Sequence, residues 1–186
     1  MATIPKPITL EEFLRLPEKK PALEFEGGRV TQKVSPKAKH SGLQGGLTRL
    51  INNFTQPRRL ALAFPELRGT FGGHSYVPDV SVFGWERIPL DTNGEPVDDV
   101  FDPPDIAIEI LSPGQSAAAG LRRCQWYAEN GVRLAPLVDP GTRAISRVTP
   151  GTDPVHLTGD NAVGFDGVLP GFELTVDEVF ATLKLR

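Results

Sequence analysis

The sequence predicts a mixed α/β fold in one domain, on three observations. Apolar residues recur at helical period over 41–54. Several short runs, 105–111 the clearest, are rich in apolar and β-branched residues. The 19 glycines and 18 prolines stand between these segments rather than in one block. A chain of 186 residues suits a single core, whose usual size is about 100–200 residues, and it buries enough surface to need no staple. Residues 1–186 are therefore expected to fold as one domain.

Thr9 and Glu12 have the form of a capping box, in which a hydroxyl serves the free N–H groups of the first helical turn and a Glu three residues on reaches back. Pro17 stops the short helix that follows. Residues 22–26 and 29–34 flank Gly27 and Gly28, a pair suited to a positive-φ hairpin turn, and read as antiparallel strands. Leu43, Leu47, Leu50, Ile51 and Phe54 then share one helical face, although Gly45 and Gly46 each cost a helix about 1 kcal/mol relative to alanine. Residues 60–64, 66–71 and 77–83 read as a meander of strands, with His74, beside two glycines, in a loop. The acidic, proline-containing stretch 88–104 has no periodicity and reads as a surface loop.

Residues 105–111 form the most strand-like segment, apolar on both faces except at Glu109, whose carboxylate is expected in or beside the core. A helix over 115–130 ends at Gly131, where a left-handed residue fits. Strands follow at 133–138 and 143–148. Pro136 lacks an N–H and points to an edge position or a bulge. His156 reads as a strand surface residue, and Thr175 with Glu178 repeats the capping box before a last short helix.

The single Cys124 has no internal partner, which suits a reducing, cytoplasmic setting, and it reads as a core residue. The N-terminal residues lack the basic start and apolar stretch of a secretory leader, and no apolar run approaches the roughly 18–20 residues of a membrane span. The net charge of −3 argues against a uniformly basic nucleic-acid binder but hides an uneven distribution. Residues 27–78 carry eight Lys/Arg against one acid, Glu66, and residues 79–109 carry nine acids against one base, Arg87. A basic ligand-facing surface beside an acidic metal site fits this pattern, and so do two oppositely charged surfaces attracting each other.

Two carboxylates stand out. Asp79 opens a strand directly after Pro78, and Glu109 interrupts an apolar strand. Carboxylates on neighbouring strands can hold a hard divalent cation through oxygen while leaving room for water and a phosphate. A salt-bridged Glu109, or one reaching water at a strand end, accounts for the same pattern. Glu66 is open as a further ligand or as a partner of Arg68. Trp126 and Tyr127 read as packing residues, and Lys33, Lys37, Lys39, Arg49, Arg58 and Arg59 either face phosphates or solvate a surface.

The order of Glu24, Pro78-Asp79, Glu109 with Ile110 and Leu111, and the cationic helix bearing Arg122 and Arg123 resembles the PD-(D/E)xK nuclease superfamily. More closely, the chain resembles the Uma-type restriction endonuclease family within it. The matching stretches are Leu23-Glu-Phe-Glu-Gly-Gly-Arg-Val30, His40 opening a helix, Pro78-Asp-Val-Ser-Val-Phe83, Pro104-Asp-Ile-Ala-Ile-Glu-Ile-Leu-Ser-Pro113, Tyr127-Ala-Glu-Asn-Gly-Val132, Leu137-Val-Asp-Pro140 and Val168-Leu-Pro-Gly-Phe172. The resemblance implies a restriction-endonuclease-like α/β fold, a mixed central sheet flanked by helices. It implies a metal-dependent DNA endonuclease in which Asp79 and Glu109 bind Mg²⁺ or Mn²⁺, Glu24 completes or supports the site, and the Ile110 carbonyl is a further ligand. His40 matches a family position and could orient a phosphate or a metal-bound water, with Lys37 and Lys39 beside it as possible substrate contacts; a solvated surface accounts for all three as well.

The chain departs from the superfamily pattern in one respect. The motif lysine two residues beyond the Glu is Leu111, and the family's lysine on the following helix corresponds to Arg123. Arginine stabilises an anionic transition state but stays protonated, so it cannot act as a base. Two other readings stay open: an inactive nuclease-fold binding or assembly module with Arg123 paired to Glu109, and a metal-free hydrolase using Asp79 and Glu109 as an acid/base pair. A homodimer would suit cleavage of both strands of a duplex.

Overall fold

A computed structural model describes residues 7–185, so the expectation drawn from the first six residues lies outside it. In chain order the elements are α1 (Leu10–Leu14), β1 (Leu23–Glu26), β2 (Arg29–Gln32), α2 (Ala38–Thr55), β3 (Ala61–Pro65), β4 (Gly69–Phe71), β5 (His74–Tyr76), β6 (Val80–Gly84), β7 (Ile106–Ile110), α3 (Ala117–Glu129), β8 (Ala135–Asp139), β9 (Ala144–Val148), β10 (Val155–Thr158) and α4 (Val176–Ala181). Both expected capping boxes form, at α1 and at α4. Among the described residues no helix is long and apolar enough to cross a membrane.

The architecture is the expected one, a mixed sheet flanked by helices. Its six strands run in the order β10-β9-β8-β7-β6-β3, with β7 and β8 parallel and the other neighbours antiparallel. A smaller antiparallel sheet, β2-β1-β5-β4, lies beside it.

The period-two alternation of β7 divides the core. Ile106, Ile108 and Ile110 join Leu43, Leu47 and Ile51 of α2 and Val179 and Phe180 of α4 in one cluster. Ala107 joins Cys124, Tyr127 and Ala128 of α3 in another. Glu109 has the parity of Ala107, so its side chain goes to the α3 side.

Two glycines permit close helix packing. A Cβ at Gly46 would lie 2.6 Å from Thr182 Cβ, and one at Gly120 would lie 2.9 Å from Leu137 Cδ1. The cost that Gly45 and Gly46 impose on α2 is thus offset, at Gly46, by the approach of the chain after α4.

Four expectations are corrected. The 60–83 region is not a simple meander: β3 pairs with β6, while the chain between them makes the β4–β5 hairpin in the smaller sheet. The turn of that hairpin is Gly72-Gly73, at φ 56° and 77°, and His74 begins β5 rather than sitting in a loop. Pro136 lies in β8, an inner strand paired on both sides. The sheet tolerates it by losing pairing locally: β7 and β8 meet at Ile106–Leu134 and again at Glu109–Leu137, with a gap between, where the missing N–H would have been needed. Glu66 is exposed at φ 50° in the turn after β3, its N–H donates to the Asp79 carbonyl at 3.2 Å, and Arg68 contacts Glu18 instead of Glu66.

Candidate active site

Pro78 and Asp79 stand where the β6–β7 ladder runs out. Val80 faces Ile108 in that register, so its continuation sets Ile110 opposite Pro78, which has no N–H to give. The Asp79 side chain takes over the pairing: its Oδ2 accepts the Ile110 N–H at 2.7 Å. The same oxygen lies 3.0 Å from His40 Nε2, in the first turn of α2, and Oδ1 accepts from Lys33 Nζ at 2.7 Å. One turn further along α2, Gln44 Nε2 donates to the Asp79 carbonyl at 2.9 Å. Burial would raise the Asp79 carboxyl, but His40 and Lys33 outweigh it and hold it below the usual carboxylate range.

Glu24, from β1, is 2% exposed and clamps Arg123 of α3 through two hydrogen bonds of 2.8 and 3.1 Å. Its Oε1 also accepts the Val77 N–H at 3.0 Å. Arg123 lies 4.5 Å from the centre of the Tyr76 ring and 3.8 Å from Glu109 Oε1. Glu109 accepts the Tyr127 hydroxyl at 2.7 Å. Burial is the main influence on Glu109 and pushes its carboxyl up to about 7, against the opposing pull of Arg123. Lys33 shows the reverse balance: burial lowers it, but Asp79, Glu109 and Glu24 together raise it.

Glu24, Lys33, His40, Asp79, Glu109 and Arg123 line one cavity of about 260 Å³, which Ile110, Gly120 and Leu111 also border. It shares His40, Leu111, Ser112 and Gln115 with a second cavity of about 490 Å³ that includes Lys37 and Lys39. Among the described residues no group of three or more His, Cys, Asp and Glu side chains is placed to hold a metal ion as it stands. The reason is visible in the pairing: Glu24 is turned to Arg123 and Val77, and His40 is bonded to Asp79.

All eight positions expected from the sequence, Glu24, Lys37, Lys39, His40, Asp79, Glu109, Ile110 and Arg123, border these two adjoining cavities. Three contributors were not expected at the site: Lys33, Gln44 and Tyr127. Lys33 had no signal beyond its charge, since its partner is distant in the chain. Tyr127 is fully buried packing, as expected, but it also binds Glu109.

Residues 10–177 match a family, Uma2, described as "Putative restriction endonuclease". The chain belongs to the Uma2 family. A crystal structure titled as a "putative nuclease belonging to DUF820" from Anabaena variabilis is 38% identical, covers 96% of this chain and 100% of its own, and superposes with a TM-score of 0.91. No curated protein matches the sequence. The Uma2 assignment accounts for the order of parts expected from the sequence: this is a nuclease fold with its acids gathered at one cavity.

Proposed function

We propose that this Uma2 protein is a Mg²⁺- or Mn²⁺-dependent endonuclease that hydrolyses DNA phosphodiester bonds, with Asp79, Glu109 and the Ile110 carbonyl as metal ligands. The observation that carries the proposal is the gathering of three buried acids, Glu24, Asp79 and Glu109, at one cavity. Such an oxygen-rich site suits a hard divalent cation. Pro78, opposite Ile110, leaves the Ile110 carbonyl without a ladder donor, which adds a neutral oxygen to the set. A bound ion would supply an acidified water near neutral pH and would offset charge building on the phosphoryl oxygens.

The protein's own groups do the positioning. Tyr127 orients Glu109, and His40 with Ile110 N–H orients Asp79. Glu24 fixes Arg123 beside Glu109, where its permanent charge faces an anionic substrate. With Nε2 bonded to Asp79, His40 Nδ1 is buried without a hydrogen-bond partner and is available to a substrate or water group. Lys37 and Lys39, exposed in the adjoining cavity, would meet flanking phosphates.

One observation favours a second reading, an inactive nuclease-fold binding or assembly module. All four oxygens of Glu24 and Asp79 are already bonded to protein donors, and Leu111 stands where the motif lysine would be. Calorimetric titration of Mn²⁺ into the wild type and into Asp79→Ala/Glu109→Ala, with plasmid nicking scored on the same samples, separates the two. Metal binding and nicking that both vanish in the double variant are expected; no binding to the wild type leaves the module.

A further inference from the structure

We propose that Lys33 is a built-in counter-ion that competes with the metal for Asp79 and, once displaced, turns its ammonium to the scissile phosphate. The inference rests on the nuclease reading and deepens it by naming a residue that the motif does not contain. Lys33 follows β2, and its Nζ donates to Asp79 Oδ1 and to the Val77 carbonyl, both at 2.7 Å. With Oδ2 already taken by His40 and Ile110, Oδ1 is where a cation reaches this carboxylate, and an ammonium is on it.

Charge favours an exchange. Lys33, Arg123 and His40 already face the three buried acids, and a divalent ion adds two positive charges to this set, which favours withdrawal of a protein cation or entry of an anion. Arg123 is poorly suited to withdraw, since it is clamped by two bonds to Glu24 and stacked over Tyr76. Lys33 is a compact charge on a flexible four-carbon stem. It also lines the cavity that would receive the phosphate. The withdrawal and the arrival of the anion are then one event: the ammonium leaves Asp79 and pairs with the incoming phosphate. This would supply a lysine charge at a site where the strand itself offers only Leu111.

The test compares wild type, Lys33→Met and Lys33→Arg by Mn²⁺ calorimetry, by melting in EDTA and in saturating Mn²⁺, and by plasmid nicking at saturating Mn²⁺. A charge within about 4–6 Å changes a carboxylate's proton affinity by roughly ten- to a thousandfold, and a competing cation should respond alike. Lys33→Met should therefore bind Mn²⁺ at least about tenfold more tightly than wild type, and Lys33→Arg should stay near wild type. Lys33→Met should melt well below wild type in EDTA, with the gap closing in Mn²⁺, because the metal replaces the lost partner of Asp79. Its nicking should fall despite full metal occupancy. Equal Mn²⁺ affinities, or a melting deficit unchanged by Mn²⁺, would show a merely structural ion pair and overturn the exchange. Wild-type nicking by Lys33→Met would overturn the phosphate contact. If neither wild type nor Lys33→Met binds Mn²⁺, the metal-dependent reading fails as well, whereas tight binding without nicking in any variant overturns the nuclease reading while leaving the competition for Asp79 standing.

Discussion

Tyr127 of α3 donates its hydroxyl to Glu109 of β7 at 2.7 Å, inside the protein, where the tyrosine has no exposed surface. The bond joins the α3 helix to a candidate metal ligand. A carboxylate so deeply buried depends on its few donors, and the tyrosine is pushed well above its usual range, first by burial and then by Glu109, so it remains a donor at every working pH.

Tyr127→Phe keeps the packing and removes the donor. Leaving a buried acceptor unsatisfied costs about 1–3 kcal/mol, so the urea midpoint should fall. Mn²⁺ affinity should change in the same variant, since Glu109 loses the bond that orients it. An unchanged Mn²⁺ isotherm would count against Glu109 as a ligand.

The Glu109 carboxyl, raised from 4.5 to about 7 in the folded protein, binds a proton that the unfolded chain releases. Stability in EDTA therefore falls as pH rises from about 4.5 to about 7, and the full penalty is present above that. Glu109→Gln removes the ionisation and keeps an acceptor for Tyr127. The variant should equal or trail wild type near pH 5 and exceed it at pH 8 by an amount of the order of 2 kcal/mol. Urea titrations at the two pH values check this; a wild-type advantage that grows with pH would refute it.

Glu24→Gln breaks the clamp on Arg123. Removing one partner of a buried ion pair costs about 3–5 kcal/mol, and the 26% exposure of the Arg123 side chain reduces this to about 2 kcal/mol. Adding Arg123→Met removes the orphaned cation, so the double variant should be more stable than the sum of the singles by about 1 kcal/mol or more. Additive losses would mean the two residues act independently.

Duplex binding should weaken with salt at a log–log slope of about −0.9 for each phosphate neutralised. Lys37→Ala and Lys39→Ala, both at exposed positions in the second cavity, should each make the slope shallower by about that amount. A slope near zero for wild type would mean that the basic 27–78 segment is not a DNA surface.

Local chemistry determined much of this protein in the sequence itself. The capping boxes at Thr9 and Thr175, the hairpin glycines 27 and 28, the apolar stripe of α2 and the carboxylate in an apolar strand all depend on neighbours within a few residues, and each was legible before the fold. So were Glu24, Asp79 and Glu109, through their order along the chain. Tertiary structure alone decided how these groups pair. Lys33 meets Asp79 across 46 positions, and Arg123 meets Glu24, its closer partner than Glu109, across 99. Strand order also decided that Pro136 would lie inside a sheet, where one lost hydrogen bond is offset by the surrounding packing. Periodicity records which face a residue takes but carries no information on which strand lies next to it, and the charge balance of the cavity is set by that adjacency.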